Sequence, residues 1–332
     1  MCIRDREYIF KHALLREIAY ESVLKRLRRV YHGLVADWLL AQGGERVKEY
    51  TGLIADHLEL AGRRGEAADW LLRSGDRARG LWAHQEAIRA YERALALLRE
   101  QGDQARAAKT LMKLGLTYNS AFEFGRSRDA YEEGFALWQR AGQKEPDVSL
   151  PPAPHPLRVG WYVAATLDPA MPWDTLSIAI IDQLFSGLAE ETPEMDILPN
   201  LARRWDVSDG GCRYTFHLRE DVWWSDGTPL TAADFEYSWK RVLDPATEAP
   251  NAGLLFDVKG ARAFNQGETL DPDSVGVRAV DETTLVVDLE GPTGYFPHLL
   301  ALSATYPVPR HVVEMYGEAW TEEENIVTNG PF

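Results

Sequence analysis

The sequence predicts a multidomain chain in which an all-α helical repeat is followed by a mixed α/β lobe. Three observations carry this. The charge is unevenly divided: the 332 residues sum to −15, yet residues 1–150 hold 25 Lys and Arg against 22 Asp and Glu, and the remainder holds 11 against 29. The run Pro151-Pro152-Ala153-Pro154-His155-Pro156 falls at the same place, and closely spaced prolines favour an extended, semi-rigid linker. The residue pattern then changes from helical spacing to alternation across that run. The expected domains are residues 7–145 and 158–332, joined by a linker over 146–157. A chain of this length with 45% apolar content can bury two cores. Limited proteolysis is expected to cut first at the linker.

The helical half is dominated by Ala, Leu, Arg and Glu, which are strong helix formers, and proline is essentially absent from Glu7 to Lys144. Two segments match at an offset of 40 residues. Leu71, Gly75, Ala90, Tyr91, Glu92, Ala96 and Leu97 recur as Leu111, Gly115, Ala130, Tyr131, Glu132, Ala136 and Leu137. Small Gly and Ala positions let paired helices approach, and Tyr and Leu fill the groove between them. Leu114-Gly115-Leu116-Thr117-Tyr118 resembles the tetratricopeptide (TPR) pattern, lengthened beyond its usual period of about 34. Phe10-Lys11-His12-Ala13-Leu14, with Ala19-Tyr20, is similar to the junction before the repeat region of large bacterial signalling ATPases. No Gly-rich phosphate loop of the P-loop type occurs, so this chain is not expected to bind ATP. The basic run Lys25-Arg26-Leu27-Arg28-Arg29 reads as the solvated face of a helix, with Val23, Leu24, Leu27, Val30 and Tyr31 on its apolar side. His12, alone in a helical apolar pattern, reads as structural.

In the second half, Arg213–Leu218 alternates with Tyr214, Phe216 and Leu218 to one side. Ser208-Asp209-Gly210-Gly211 supplies the turn for a hairpin with Trp205–Val207. Thr284–Leu289 alternates likewise and pairs with Val277–Val280 across Asp281-Glu282-Thr283. Asp226-Gly227 is a tight turn, because Gly accepts positive φ freely. Thr231 with Asp234 three residues on is a capping box. Phe235, Trp239 and Val242 then follow at helical spacing until Asp244-Pro245 stops the helix.

The same half resembles the family 5 extracellular solute-binding proteins, the oligopeptide-binding components of ABC importers. The resemblance rests on ordered blocks over about 165 residues: Thr166-Leu167-Asp168-Pro169, Gln183–Leu188, Leu198–Ala202 with Trp205, and Tyr214–Arg219. It continues through Trp224–Phe235 with Tyr237–Arg241, Asp271–Val277, Tyr295-Phe296, Pro307–Arg310 and Asn325–Phe332. It implies a truncated periplasmic-binding-protein type II fold. The first lobe would start over 157–184, a smaller lobe would run from Phe185 to about Val308, and the second large lobe would lie beyond this chain. In that family two lobes close over an extended peptide, whose main chain is gripped by backbone hydrogen bonds while hydrated pockets accept its side chains. The residues carried over as ligand-binding are Trp173 and Thr175, after Asp168-Pro169, and Asn251, after Ala249-Pro250. Trp173 stands where oligopeptide binders place an acidic residue and Asn251 where they place Tyr, which leaves the ligand class open. Trp173 reads equally as a binding residue or a core aromatic.

The resemblances imply a non-catalytic solute binder taking a peptide or small-molecule solute, with ABC permease subunits as partners and a periplasmic or extracellular location. The alternative is a cytoplasmic regulator that uses the lobe as a ligand sensor and binds a protein through its repeats. A third reading is two genes joined in error, since Met1-Cys2-Ile3-Arg4-Asp5-Arg6 resembles the translation of a transposase end sequence used in library preparation. The chain accordingly reads as a piece open at both ends. Neither Glu190, Glu191, Glu194 and Asp196 nor Glu322–Glu324 is joined by His or by a ligand-spaced second cluster, so both read as solvated acidic loops. No cofactor or metal is implied. A Gly-x-Ser-x-Gly elbow and a His-Glu-x-x-His pair are both missing, and the acidic half repels nucleic acid. No apolar run approaches the ~18 residues a membrane span needs. Cys2 and Cys212 form no disulfide framework.

Overall fold

The computed structural model describes residues 13–42, 44–140 and 164–330. Met1–Arg6, Phe10–His12, the 146–157 linker and Pro331-Phe332 lie outside the described residues. Compact packing divides the chain into two units, between Asp103 and Gln104. The division falls upstream of 146–157 because one helical hairpin packs on the sheet of the second half.

The first unit holds α1 (Ala13–Ser22), α2 (Lys25–Gln42), α3 (Thr51–Ala61), α4 (Arg64–Gly80) and α5 (His84–Gln101). Gly62 ends α3 and Gly102 ends α5, at φ 82° and 74°, a left-handed geometry that costs glycine nothing. A Cβ on Gly75 would lie 2.4 Å from the Tyr91 ring, so the glycine is what lets α4 and α5 close. The Tyr91 hydroxyl donates to Asp76 at 2.7 Å, and Arg93 of α5 reaches Asp56 (2.7 Å) and Glu59 (2.8 Å) of α3. On α2 and at the residue before it, the side expected to be covered is open: Leu24, Leu27, Val30 and Tyr31 are exposed.

The second unit begins with α6 (Gln104–Ser120) and α7 (Phe124–Arg140), a hairpin with the same Gly–Tyr contact at Gly115 and Tyr131. After α8 (Thr175–Leu184) come the short antiparallel pair β1 (Ala189–Glu191) and β2 (Ile197–Pro199). The main sheet is antiparallel, in the order β3 (Ala202–Ser208), β4 (Arg213–Leu218), β6 (Thr284–Asp288), β5 (Val277–Ala279). Both expected hairpins form, with Trp205 opposite Phe216, Val207 opposite Tyr214, and Val277 opposite Val287. Register then places Trp205, Val207, Tyr214, Phe216, Leu285 and Val287 on one buried face, as period-2 alternation requires. At the β3 edge that face is covered by α7, whose Tyr131 and Phe135 ring centroids lie 5.1 and 4.8 Å from Trp205. Toward β5 and β6 it is covered by α9 (Ala232–Leu243). The α9 capping box forms, with the Asp234 carboxylate accepting from the Thr231 N–H at 2.8 Å. The short helices α10 (Ala261–Asn265), α11 (Phe296–Leu299) and α12 (Arg310–Tyr316) complete the unit.

Among the described residues no helix is long and apolar enough to cross a membrane.

Candidate functional site

The segment carrying Trp173 and Thr175 is a loop pinned at both ends. At its start, Asp168 is 6% exposed and accepts a two-pronged bond from Arg241 of α9, at 3.0 and 2.5 Å. It also accepts the Ala170 N–H (2.9 Å) and the Trp320 indole N–H (3.3 Å). A buried carboxylate is tolerable only when paired and fully hydrogen-bonded, and here it is. The cation in turn has its guanidinium pKa raised despite burial, held up by the Asp168 carboxylate. Asp168 and Arg241, prominent in two sequence blocks, therefore build the scaffold.

At the far end of the loop, Asp174 caps α8, accepting the N–H groups of Leu176 (3.0 Å) and Ser177 (2.9 Å) and the Ser177 hydroxyl (2.7 Å). Backbone and hydroxyl donors at this cap favour the ionised form and hold the Asp174 carboxyl below its usual range. The Ser177 oxygen accepts the Ala165 N–H at 3.0 Å, so the chain before Asp168 is tied to the helix as well.

Between these pins the loop displays its remaining side chains. Trp173 is 77% exposed, which removes the core reading of that residue. Thr175 is exposed at the first turn of α8. Asn251, half-buried, donates its amide to the Pro172 carbonyl at 2.7 Å. The structure thus brings Asn251, from a segment 79 residues away, to the residue preceding Trp173. Trp173 and Thr175 are the exposed side chains of the loop, a wide apolar ring and a hydroxyl, and the half-buried Asn251 amide braces the loop from beside Pro172. Such side chains can stack and hydrogen-bond.

The other blocks singled out in the sequence are also pins. The Ser225 N–H donates to the Thr328 carbonyl (2.8 Å), and the Thr228 N–H to the Asp226 carboxylate (2.9 Å). Asn329 accepts the Ser186 N–H at 3.0 Å, and the Gly330 N–H donates to the Leu184 carbonyl (2.8 Å). Among the described residues no group of three or more His, Cys, Asp or Glu is placed to hold a metal ion. The acidic segment Glu190–Asp196 departs from a purely solvated loop at Glu191, which a histidine does join, with His298 Nδ1 2.8 Å from its carboxylate, and at Asp196. The Asp196 side chain is 14% exposed and pairs with Lys113 of α6 at 2.6 Å.

Residues 196–332 match the model of the family described as bacterial extracellular solute-binding proteins, family 5 Middle. Among curated relatives, the probable deoxycholate-binding periplasmic protein YgiS of Escherichia coli is 43% identical over 169 residues, 50% of this chain and 31% of the relative. The periplasmic oligopeptide-binding protein OppA of the same organism is 44% identical over 151 residues, 45% of this chain and 27% of the relative. Of the solved structures, Listeria monocytogenes OppA bound to peptide is 31% identical with a TM-score of 0.50, covering 52% of this chain and 34% of that one. The pheromone receptor PrgZ, solved for its mode of peptide binding, is 37% identical with a TM-score of 0.50 over the same shares. The chain thus spans about a third of the length of the relatives it matches.

Proposed function

We propose that the second half of this chain is the opening part of a non-catalytic solute-binding domain of the family 5 type, and that its solute is a peptide. The observation that carries the reading is the pinned loop that exposes Trp173 and Thr175, with Asn251 donating to the carbonyl of Pro172, in a half of the chain similar to peptide-binding relatives. A peptide main chain offers N–H and C=O groups to the Asn251 amide and the Thr175 hydroxyl, and the Trp173 ring takes one apolar side chain. ABC permease subunits are the partners this reading implies.

The deoxycholate-binding name of one relative makes a flat apolar solute the natural competitor for the same ring. A titration separates the two. Mixed tripeptides and deoxycholate are added to separate samples of the whole chain while the Trp173 indole N–H is followed by NMR and assigned by Trp173→Ala. Saturable shifts with tripeptides at millimolar concentration, about −4 kcal/mol, are expected. A single patch must still offset several kcal/mol of lost translational and rotational freedom. Saturation by deoxycholate alone would replace the peptide by an apolar solute. No shift with either would remove Trp173 from the site, and micromolar peptide binding would show that these few contacts suffice.

A second reading, in which a regulator with a TPR-like region uses the lobe as a ligand sensor, is favoured by the packing of α6–α7 on the lobe's sheet. It differs from the first in what the helices do once solute is bound, not in the binding chemistry.

A further inference from the structure

We infer that the α6–α7 hairpin is a dedicated docking element for the solute-binding lobe, so that the lobe's working fold begins at Gln104 and not after the proline-rich segment. The inference rests on four observations of the second unit and goes beyond solute binding.

The buried polar contacts are specific. Asn119 of α6 is fully buried, and both ends of its amide are used: Nδ2 donates to the Gly294 carbonyl at 2.9 Å, and Oδ1 accepts the Tyr214 hydroxyl at 3.1 Å. A buried amide satisfied by two partners on a facing surface fixes register, because sliding would orphan all three groups. Lys113, one helix face away, pairs with Asp196 with side chains only 12% and 14% exposed.

The lobe is shaped to receive the hairpin. A Cβ on Gly294 would meet the Asn119 carbonyl oxygen and the Ser120 Cα at 3.0 Å, and one on Gly211 would lie 2.5 Å from the Phe124 ring. Both glycines belong to the part of the chain that matches the family model, and both are open just where the hairpin lies.

The hairpin is shaped to dock. At the 40-residue offset, α4 carries Asp76, Arg77 and Arg79 where α6 carries Leu116, Thr117 and Asn119. Charges on one copy are replaced by apolar or neutral groups on the other, and Leu116 and Met112 enter the same core cluster as Trp205 and Phe216. Finally, the aromatic cluster is continuous across the contact, since Tyr131 and Phe135 pack on Trp205 and Trp205 on Phe216.

Hydrogen exchange on the whole chain tests this. Asn119→Leu is expected to speed exchange of the β4 amides and of the segment around Gly294 at least about tenfold, the effect of leaving buried partners unpaired. Residues 51–101 should be unaffected. Acceleration confined to residues 104–140 would overturn the inference. Where Asn119→Leu fails to fold, the milder cycle of Lys113→Met, Asp196→Leu and the double variant decides the question. Non-additivity of at least about twofold in the lobe's unfolding constant is expected for a contact pair, and strict additivity would overturn it.

Discussion

In α4–α5, Tyr91 fills the space left by Gly75; in α6–α7, forty residues on, Tyr131 does the same above Gly115. The internal contact is the same, but the outer faces differ. The α4 helix buries a stripe of small and apolar residues, Ala67, Ala68, Leu71, Gly75 and Ala78. On α6 almost every position from Ala107 to Asn119 is buried. The repeat motif therefore determines how two helices close on each other, while the residues outside the motif determine what the closed hairpin packs against. A helix apolar on most of its circumference needs partners on more than one side, and α6 finds one of them in the lobe.

Truncating the two tyrosines should give the largest contrast. Tyr91→Ala and Tyr131→Ala each remove a fully buried ring and should cost about 3–5 kcal/mol, the range for large core aromatics. The first loss should stay within the first unit. The second should spread through Trp205 into the β3–β4 hairpin and lower the lobe's melting transition. Domain-resolved melting or hydrogen exchange would check this, and a lobe indifferent to Tyr131→Ala would break the comparison.

Filling the glycines should act in the same sense with smaller size. An alanine at Gly75 or Gly115 drives a Cβ into a buried ring, at 2.4 and 2.8 Å respectively. Overpacking of this kind costs about 1–3 kcal/mol, partly offset by the better helix propensity of alanine. Chemical denaturation should show the Gly75 variant the weaker of the two within its own unit, because its clash is closer.

Much of the lobe's architecture was legible in the sequence because its signals are local. The turn at Ser208–Gly211, the alternation of Tyr214, Phe216 and Leu218, and the cap at Thr231–Asp234 each lie within a few residues of what they determine. The Asp168–Arg241 pair spans 73 positions and Asn119–Tyr214 spans 95, and no periodicity reports such distances. Reading Glu190–Asp196 as one acidic loop failed at Glu191 and Asp196 for that reason: His298 lies 107 positions from Glu191, and Lys113 lies in the other half of the sequence. The exposure of Trp173 was equally unreadable, since an aromatic beside proline is compatible with a core or a surface until its neighbours are known. The uneven use of charge between Asp76–Arg79 and Leu116–Asn119 was in the sequence, and aligning the two copies position by position is what exposes it.

Acid should also separate the two regions. In the first unit His32 and His57 join α2 to α3 through an Nδ1···Nδ1 contact of 2.8 Å, and the Tyr20 hydroxyl lies 2.9 Å from His32 Nε2. One imidazole must accept, so the pair cannot hold this bond with both rings protonated. Burial holds both below the usual imidazole value; the neighbouring ring lowers His32 further, while Asp56 opposes the shift at His57. The unfolded chain takes up these protons near pH 6.5 and the folded chain resists, so stability is full above that value and declines as pH falls through it. The α6–α7 hairpin carries no histidine. Melting followed between about pH 7.5 and 5.5, the range that brackets imidazole titration, should show the first unit losing stability, and His57→Gln should flatten that slope.

The smallest difference should come from the turns that close the two hairpins. Trp82 and Phe122 occupy equivalent positions at φ 58° and 61°, a left-handed geometry that costs a bulky residue about 1 kcal/mol. Glycine removes that strain but loses more freedom on folding, so Trp82→Gly should raise the stability of its unit by only about 0.5 kcal/mol. Trp82 is 76% exposed, and its own edge-on partner, with centroids 5.9 Å apart at 86°, is the polar His84 ring, so its truncation gives up less than that of an all-hydrocarbon pair. Phe122 stands edge-on to Phe124, with centroids 6.0 Å apart at 87°, and the Phe124 ring lies over Gly211 of the lobe. An edge-to-face pair contributes about 0.5–1.5 kcal/mol, enough to cancel the gain. Phe122→Gly is therefore expected to be neutral or mildly destabilising where Trp82→Gly stabilises. Equal gains in paired denaturation curves would mean that the ring at Phe122 supports nothing, and that the docked hairpin holds its place without help from its turn.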